Sequence, residues 1–159
     1  MANILIRPAN KKDLDGILLL NLALFKKEFK EFDKTLNINW TYSRVGREYF
    51  SKRITGKDNF AAVATDDKKI IGYICGGLSY TPARIVKKAK LENIIVIEGF
   101  RNKKIGSRLA KEFFKWCQSK NIRNILVTTF AKNSAALNFY KNLGFKNLEV
   151  ILEKKIRFD

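Results

Sequence analysis

Three apolar runs of six or seven residues lie close together in the middle of the chain, at 60–65, 69–75 and 91–97. Runs of that length between turn residues read as strands rather than helices. The first two flank Asp66-Asp67-Lys68 and predict a hairpin. After the third, a helical period runs from Gly106 to about Ser119, with Leu109, Phe113 and Cys117 on one face and Ala110 and Phe114 beside them. A further strand is predicted at 123–129. A helix follows, capped by Asn133 or Ser134, carrying Ala136, Leu137, Tyr140 and Leu143, and stopped by Gly144 in a left-handed cap. The tail, 146–156, reads as a strand. Ahead of the hairpin, a strand at 3–7 ends at Pro8. Asn10 then caps a helix whose apolar positions are Leu14, Ile17, Leu18, Leu22, Phe25 and Phe29, with Asp13 in its first turn. A polar stretch at 31–40 leads to a second helix through Tyr42, Val45, Tyr49 and Phe50, ending before Gly56. This order predicts an α+β chain, a central mixed sheet flanked by about four helices, with residues 1–159 as a single domain.

Composition narrows the chemistry. The 159 residues contain no histidine, which removes Ser-His-Asp and Cys-His catalysis and His-ligated zinc. Cys75 and Cys117 form no CxxC pair and read as buried apolar side chains in a reducing compartment. No metal site is expected, and proton transfer falls to Glu, Asp, Tyr, Lys, Cys or water. Residues 1–10 lack a signal-peptide pattern, and the apolar stretch 17–25, interrupted by Asn21, is too short to cross a bilayer. A cytoplasmic protein with no membrane partner is expected.

Charge is distributed unevenly. From Arg84 to Lys120 there are 11 basic residues against Glu92, Glu98 and Glu112, a balance of +8 within the net +17. Part of this charge sits where strand 91–97 turns into the helix at Gly106: Arg101, Lys103 and Lys104 precede the helix and Arg108 lies just inside it. A helix N-terminus presents unpaired N–H groups and the positive end of a dipole. Cations there oppose the dipole unless an anion is bound, so a phosphate-bearing ligand is expected at that turn.

The segment Val96-Ile97-Glu98-Gly99-Phe100-Arg101-Asn102-Lys103-Lys104-Ile105-Gly106-Ser107-Arg108-Leu109 resembles the coenzyme A pyrophosphate motif of the GNAT acetyltransferases, Arg/Gln-x-x-Gly-x-Gly/Ala. Arg101 and Gly106 match its first and last positions, while Lys104 stands where the first glycine usually lies and Glu98 where proline is common. A second stretch, Asn133 to Phe145, resembles the family helix Asn-x-x-Ala-x-x-x-Tyr-x-x-x-Gly-Phe nearly position for position. The resemblance implies the GNAT fold, with a splayed sheet, and an acetyl-CoA-dependent N-acetyltransferase. In such an enzyme a primary amine, on a small molecule or a protein, attacks the thioester directly in a ternary complex.

It also implies residue roles. Ile95, Val96 and Ile97 would line the pantetheine, and backbone groups near Val96 would polarise the acetyl carbonyl. Arg101, Asn102, Lys103, Lys104, Ile105, Gly106, Ser107 and Arg108 would hold the pyrophosphate. Asn133 would hydrogen-bond the coenzyme. Tyr140 would be the general acid for the departing thiolate, and Glu92 the base, directly or through water. The acceptor amine would enter among the first two helices, the 31–40 loop and segment 76–84, where Phe32, Trp40, Tyr42, Tyr80, Glu31 and Asp33 are candidates. A homodimer is allowed for. Two rivals remain at this level: a nucleic-acid module built on the basic stretch, although no helix-turn-helix, zinc knuckle or RNP-like strand is present, and an acyl-CoA sensor prompted by Lys104.

Overall fold

Arg7 and Asn10 set how the chain leaves its first strand. The computed structural model describes residues 3–158, in which β1 (Ile4–Pro8) is followed by a 3-10 turn. The Asn10 side chain accepts from the Lys12 N–H at 2.9 Å, and Asp13 answers by accepting from the Asn10 N–H at 2.8 Å. This capping box satisfies donors that a helix start would otherwise leave open. Arg7 forks onto the same carboxylate at 2.7 and 2.8 Å, tying strand end to helix start. Helix α1 (Leu14–Glu31) follows, then a polar loop and α2 (Arg44–Thr55), capped by Ser43, whose side chain accepts from the Gly46 N–H at 3.1 Å.

Strands β2 (Asn59–Asp66), β3 (Lys69–Ser79) and β4 (Lys88–Val96) make the expected meander, with β4 starting earlier than its apolar run because Lys88 and Lys90 belong to it. Helix α3 (Ile105–Ser119) then carries the chain across to β5 (Asn124–Val127). The sheet order is β1-β2-β3-β4-β5, antiparallel throughout except for the parallel β4–β5 pair. A mixed sheet flanked by helices is the α+β arrangement expected from the order of periods.

Alternation along the strands divides the core between two faces. Ala61, Val63, Tyr73 and Cys75 pack with Ile17, Leu18 and Leu20 of α1 and Phe50 of α2. On the other face α3 buries Ile105, Leu109, Ala110, Phe113 and Cys117, and Phe113 meets Phe60 with ring centroids 5.8 Å apart. The β3–β4 pairing skips a residue: Cys75 opposes Asn93, the next residue Gly76 opposes Leu91, and Glu92 is left as a bulge. Gly76 is required there, since a Cβ would lie 2.2 Å from the Lys90 carbonyl oxygen and 2.8 Å from the Phe113 ring.

The chain divides into two units, the second beginning at Thr129. Its helix α4 (Ser134–Asn142) is capped by Asn133, whose side chain accepts from the Ala136 N–H at 3.1 Å. Gly144, at φ 92°, ends it: the Gly144 N–H reaches the Lys141 carbonyl at 2.9 Å and the Phe145 N–H reaches that of Tyr140 at 3.0 Å. This is the Schellman pattern, and it needs a left-handed residue at that position. The predicted strand over 146–156 does not form: described residues 145–158 have no regular secondary structure, and Val150, Ile151 and Leu152 are 81–89% exposed. An apolar alternation supplies a face, but a strand needs a ladder partner for its N–H and C=O groups, and none of the described residues pairs with this segment.

Candidate active site

The parallel ladder between β4 and β5 runs from Lys88–Asn124 to Leu91–Val127 and stops, although β4 continues to Val96. From Glu92 onward β4 therefore keeps β3 on one side and, among the described residues, pairs with no strand on the other, leaving an open edge. The Ile97 N–H bonds the Ile71 carbonyl at 2.9 Å. Peptide groups alternate in direction along such a strand, so those of Val96 turn to the open edge. The Val96 carbonyl accepts there from Arg101 Nε at 2.9 Å. Ile95 and Ile97 lie against the core cluster beneath α1 and α2. An open strand edge whose Val96 N–H has no partner among the described residues is a surface on which an extended amide-bearing ligand can add as a further strand.

The same strand delivers the chain to the start of α3. Between them a 3-10 turn at Glu98–Phe100 and two left-handed residues, Asn102 at φ 61° and Lys104 at φ 59°, reverse the backbone. Lys104 is the N-cap of α3 and makes no side-chain capping bond, and the first turn has no acidic residue. The first helical bond is the one from the Arg108 N–H to the Lys104 carbonyl at 3.0 Å, which leaves the N–H groups of Ile105, Gly106 and Ser107 ahead of it as donors. Lys103 Nζ sits 5.1 Å from the Phe100 ring centre, and Arg108 donates to the Ile4 carbonyl at 3.2 Å. Lys104 holds a left-handed conformation that a glycine would adopt freely, so lysine at this position adds a cationic side chain and backbone strain.

On the α1/α2 face, bulged Glu92 points its carboxylate at α2. Tyr49 donates to Oε2 at 2.6 Å, Arg53 Nη2 donates to Oε1 at 2.8 Å, and Arg53 Nε also reaches Oε2. Arg53 is held in turn by Asn59 Oδ1 at 2.6 Å. Burial works to lower the guanidinium pKa, but the Glu92 hydrogen bonds and charge outweigh it and raise it. Burial, with the Cys75 and Glu92 charges, raises the Tyr49 phenol. Beside this pair lies a second network. Buried Asn21 donates to Tyr73 Oη and to Asn93 Oδ1, both at 3.0 Å, and accepts from Thr41 Oγ1 at 2.7 Å. Cys75, fully buried, has its thiol raised mainly by burial, and Cys117 is pushed up to about 11 for the same reason, so neither is set up as a nucleophile.

Sequence reasoning singled out Glu92 but missed Arg53, Tyr49, Asn93 and Tyr73, whose partners are distant along the chain. Asn21 had a visible signal: it is the one polar residue inside the apolar stretch 17–25. Of the acceptor-side candidates, Trp40 is packed by Phe25 at 5.6 Å, Tyr49 at 5.3 Å and Phe50 at 6.1 Å. Asp33 accepts from the Thr35 hydroxyl and N–H, and Tyr80 is 89% exposed. In the second unit, Tyr140 is half-buried on α4, with Phe139 and Phe145 rings 5.4 and 5.7 Å away, and Asn133 serves as the helix cap.

Solved structures share this fold. A Bacillus halodurans protein crystallised as a tetramutant superposes with a TM-score of 0.83 at 20% identity, covering 96% of this chain and 99% of its own. An aminoglycoside N-acetyltransferase in complex with CoA gives 0.77 at 18% identity, covering 99% and 97%. By sequence, an uncharacterized N-acetyltransferase of Methanocaldococcus jannaschii is 28% identical over 149 residues, covering 92% of this chain. The chain spans 62% of that relative's length. An N-alpha-acetyltransferase of Sulfurisphaera tokodaii is 25% identical over 154 residues, 92% of this chain and 82% of the relative. The model of the acetyltransferase (GNAT) family matches residues 23–145, a span that includes the open edge of β4, the basic start of α3 and the whole of α4, and the chain therefore belongs to that family.

Proposed function

We propose that the protein transfers an acetyl group from acetyl-CoA to a primary amine by direct attack in a ternary complex. The observation that carries this reading is the continuity of two surfaces: the open edge of β4 beyond Leu91–Val127 leads straight into an α3 start that has free N–H donors, four cations in and just ahead of it, and no acid in its first turn. Those residues fit a ligand that has amide groups in an extended arm and a pyrophosphate at one end. The Val96 N–H would take an amide of the arm, with Ile95 and Ile97 flanking it on β4. Arg101, Asn102, Lys103, Lys104, Ile105, Gly106, Ser107 and Arg108 would hold the phosphates, with Asn133 as a further hydrogen-bonding partner.

Bound acetyl-CoA supplies the activated acyl group as a thioester. The chain's own part is to orient and to move protons. The Val96 N–H is a main-chain donor for the carbonyl oxygen on which charge develops. Tyr140 would donate its phenolic proton to the departing sulfur, a phenol near pKa ~10 being a suitable partner for a thiolate. The amine must lose a proton before it attacks. Arg53 and Tyr49 occupy most of the Glu92 carboxylate, leaving a lone pair on Oε1, so Glu92 would accept that proton through a water rather than directly. The cytoplasm would supply both substrates.

The test is thermal unfolding with and without acetyl-CoA at moderate salt, with a nucleic-acid polyanion as control, followed by turnover on an amine panel. A ligand at ~100 times its Kd adds ~2.7 kcal/mol, about 5–10 °C for a chain of this size. A shift with acetyl-CoA and not the polyanion is expected. The reverse pattern would replace this reading with nucleic-acid binding.

A further inference from the structure

Two consecutive residues of β4 send their side chains to the same face of the sheet, which a regular strand does not allow. Glu92 reaches Tyr49 and Arg53 of α2, and Asn93 reaches Asn21 of α1. Both helices pack on one face of the sheet. The bulge makes this possible: Leu91 opposes Gly76, Asn93 opposes Cys75, and Glu92 is the extra residue between them. It falls directly after Leu91, whose pairing with Val127 is the last of the parallel ladder. The grip on Glu92 and the parting of β4 from β5 therefore occur at one place in the chain.

That grip is tight on both residues. Glu92 accepts from Tyr49 at 2.6 Å, from Arg53 Nη2 at 2.8 Å and from Arg53 Nε as well. The guanidinium is fixed in its turn, by Asn59 Oδ1 at 2.6 Å and by the Tyr49 ring, whose centre is 4.4 Å away. Asn93 Oδ1 accepts from buried Asn21 at 3.0 Å, and Asn21 is itself held by the Thr41 hydroxyl. A forked ion pair with both partners only about one-fifth exposed is costly to break. It also occupies lone pairs that a proton acceptor would use, which points to a purpose beyond proton transfer.

A bulge bends and twists its strand and often ends a pairing. Strands alternate with a period of two residues, so losing the bulge, or sliding it past Val96, would turn the residues beyond it to the opposite edge and face. The Val96 N–H would then point at β3 instead of the open edge. We propose that Tyr49 and Arg53 are positioning residues for the coenzyme: by gripping Glu92 they pin the bulge, and the pinned bulge parts β4 from β5 and aims the Val96 N–H at the pantetheine arm. This rests on the acetyl-transfer reading and adds to it a role for α2 in coenzyme binding.

The test is calorimetric titration with acetyl-CoA and with the phosphorylated ADP portion of coenzyme A, which lacks the arm. Urea unfolding and amide hydrogen exchange of the coenzyme-free protein accompany it. Arg53→Met should weaken acetyl-CoA binding about two- to tenfold, the worth of one main-chain hydrogen bond, and leave the ADP portion unchanged. Tyr49→Phe removes one of the three bonds to Glu92 and should show a smaller loss of the same kind. Arg53→Met combined with Glu92→Gln should regain stability but not acetyl-CoA affinity, because no charge is stranded while the bulge stays loose. In that double variant the Ile97 N–H, beyond the bulge and bonded to the Ile71 carbonyl, should exchange faster than in the wild type. The Ala9 N–H, bonded to the Ala61 carbonyl, should keep its rate. Arg44→Met, which breaks the exposed Arg44–Glu48 pair on the same helix, should alter neither affinity nor exchange. Affinity that returns with stability in the double variant, an equal loss for both ligands, or an unchanged Ile97 rate would each overturn the proposal. A wild type that binds neither ligand sinks the acetyl-transfer reading, and the Ile97 and Ala9 rates then decide on their own whether the grip holds the bulge.

Discussion

Lys104 gives the sharpest test of the loop that precedes α3, because two substitutions there separate strain from charge. Its φ of 59° and ψ of 11° place an L-residue in the left-handed region, at a cost of roughly 1–2 kcal/mol. Lys104→Ala removes the cation and keeps the strain. Lys104→Gly removes both but adds unfolded-state freedom worth about 0.5–1 kcal/mol. The glycine variant should therefore be more stable than the alanine variant by about 0.5–1 kcal/mol, or about 1–4 °C in Tm for a chain of 159 residues. Both variants should lose the same affinity for acetyl-CoA, about three- to tenfold at low salt and less as salt is raised, since each loses one cation beside the phosphates while the N–H donors of α3 remain. Differential scanning calorimetry gives the first comparison and titration with acetyl-CoA the second. A glycine variant no more stable than the alanine variant would refute the left-handed conformation. Unchanged affinity in both would remove Lys104 from the phosphate site.

Three other substitutions probe the remaining parts. Tyr140→Phe should leave acetyl-CoA affinity unchanged and lower kcat on the order of 10²-fold, read by steady-state kinetics, because a phenyl ring cannot protonate a leaving thiolate; unchanged turnover would exclude the acid role. Arg53→Met strands the Glu92 carboxylate with only Tyr49, and at about one-fifth exposure of each partner the loss should be about 2–4 kcal/mol by urea unfolding. Arg53→Met combined with Glu92→Gln should recover much of it, and additive losses would show that the pair is not coupled. For Asp13, the Arg7 hydrogen bonds hold the carboxyl below its usual range against burial, with the Asn10 N–H assisting. A carboxyl depressed in the folded state stabilises above its unfolded pKa of ~4 and loses that contribution as pH falls through the folded value. Wild-type stability should therefore fall below about pH 4 more steeply than that of Asp13→Asn, which should already be lower at pH 7; parallel acid limbs would remove Asp13 as the cause.

What could be read from the sequence alone follows a physical division. Asn10, Asn133 and Gly144 act on backbone groups within a few residues of themselves, so their caps were legible, as was the run of strand and helix periods that gives the sheet its order. The tail was misread for the complementary reason: its alternating apolar residues are local, but pairing is not. The substitution of lysine for glycine at position 104 was visible as a change of residue, whereas the retained left-handed backbone is a property of the loop closed between β4 and α3. Glu92 was singled out through the family resemblance, yet its hydrogen-bonding partners lie 43 and 39 residues away on α2, and they decide what its carboxylate can do.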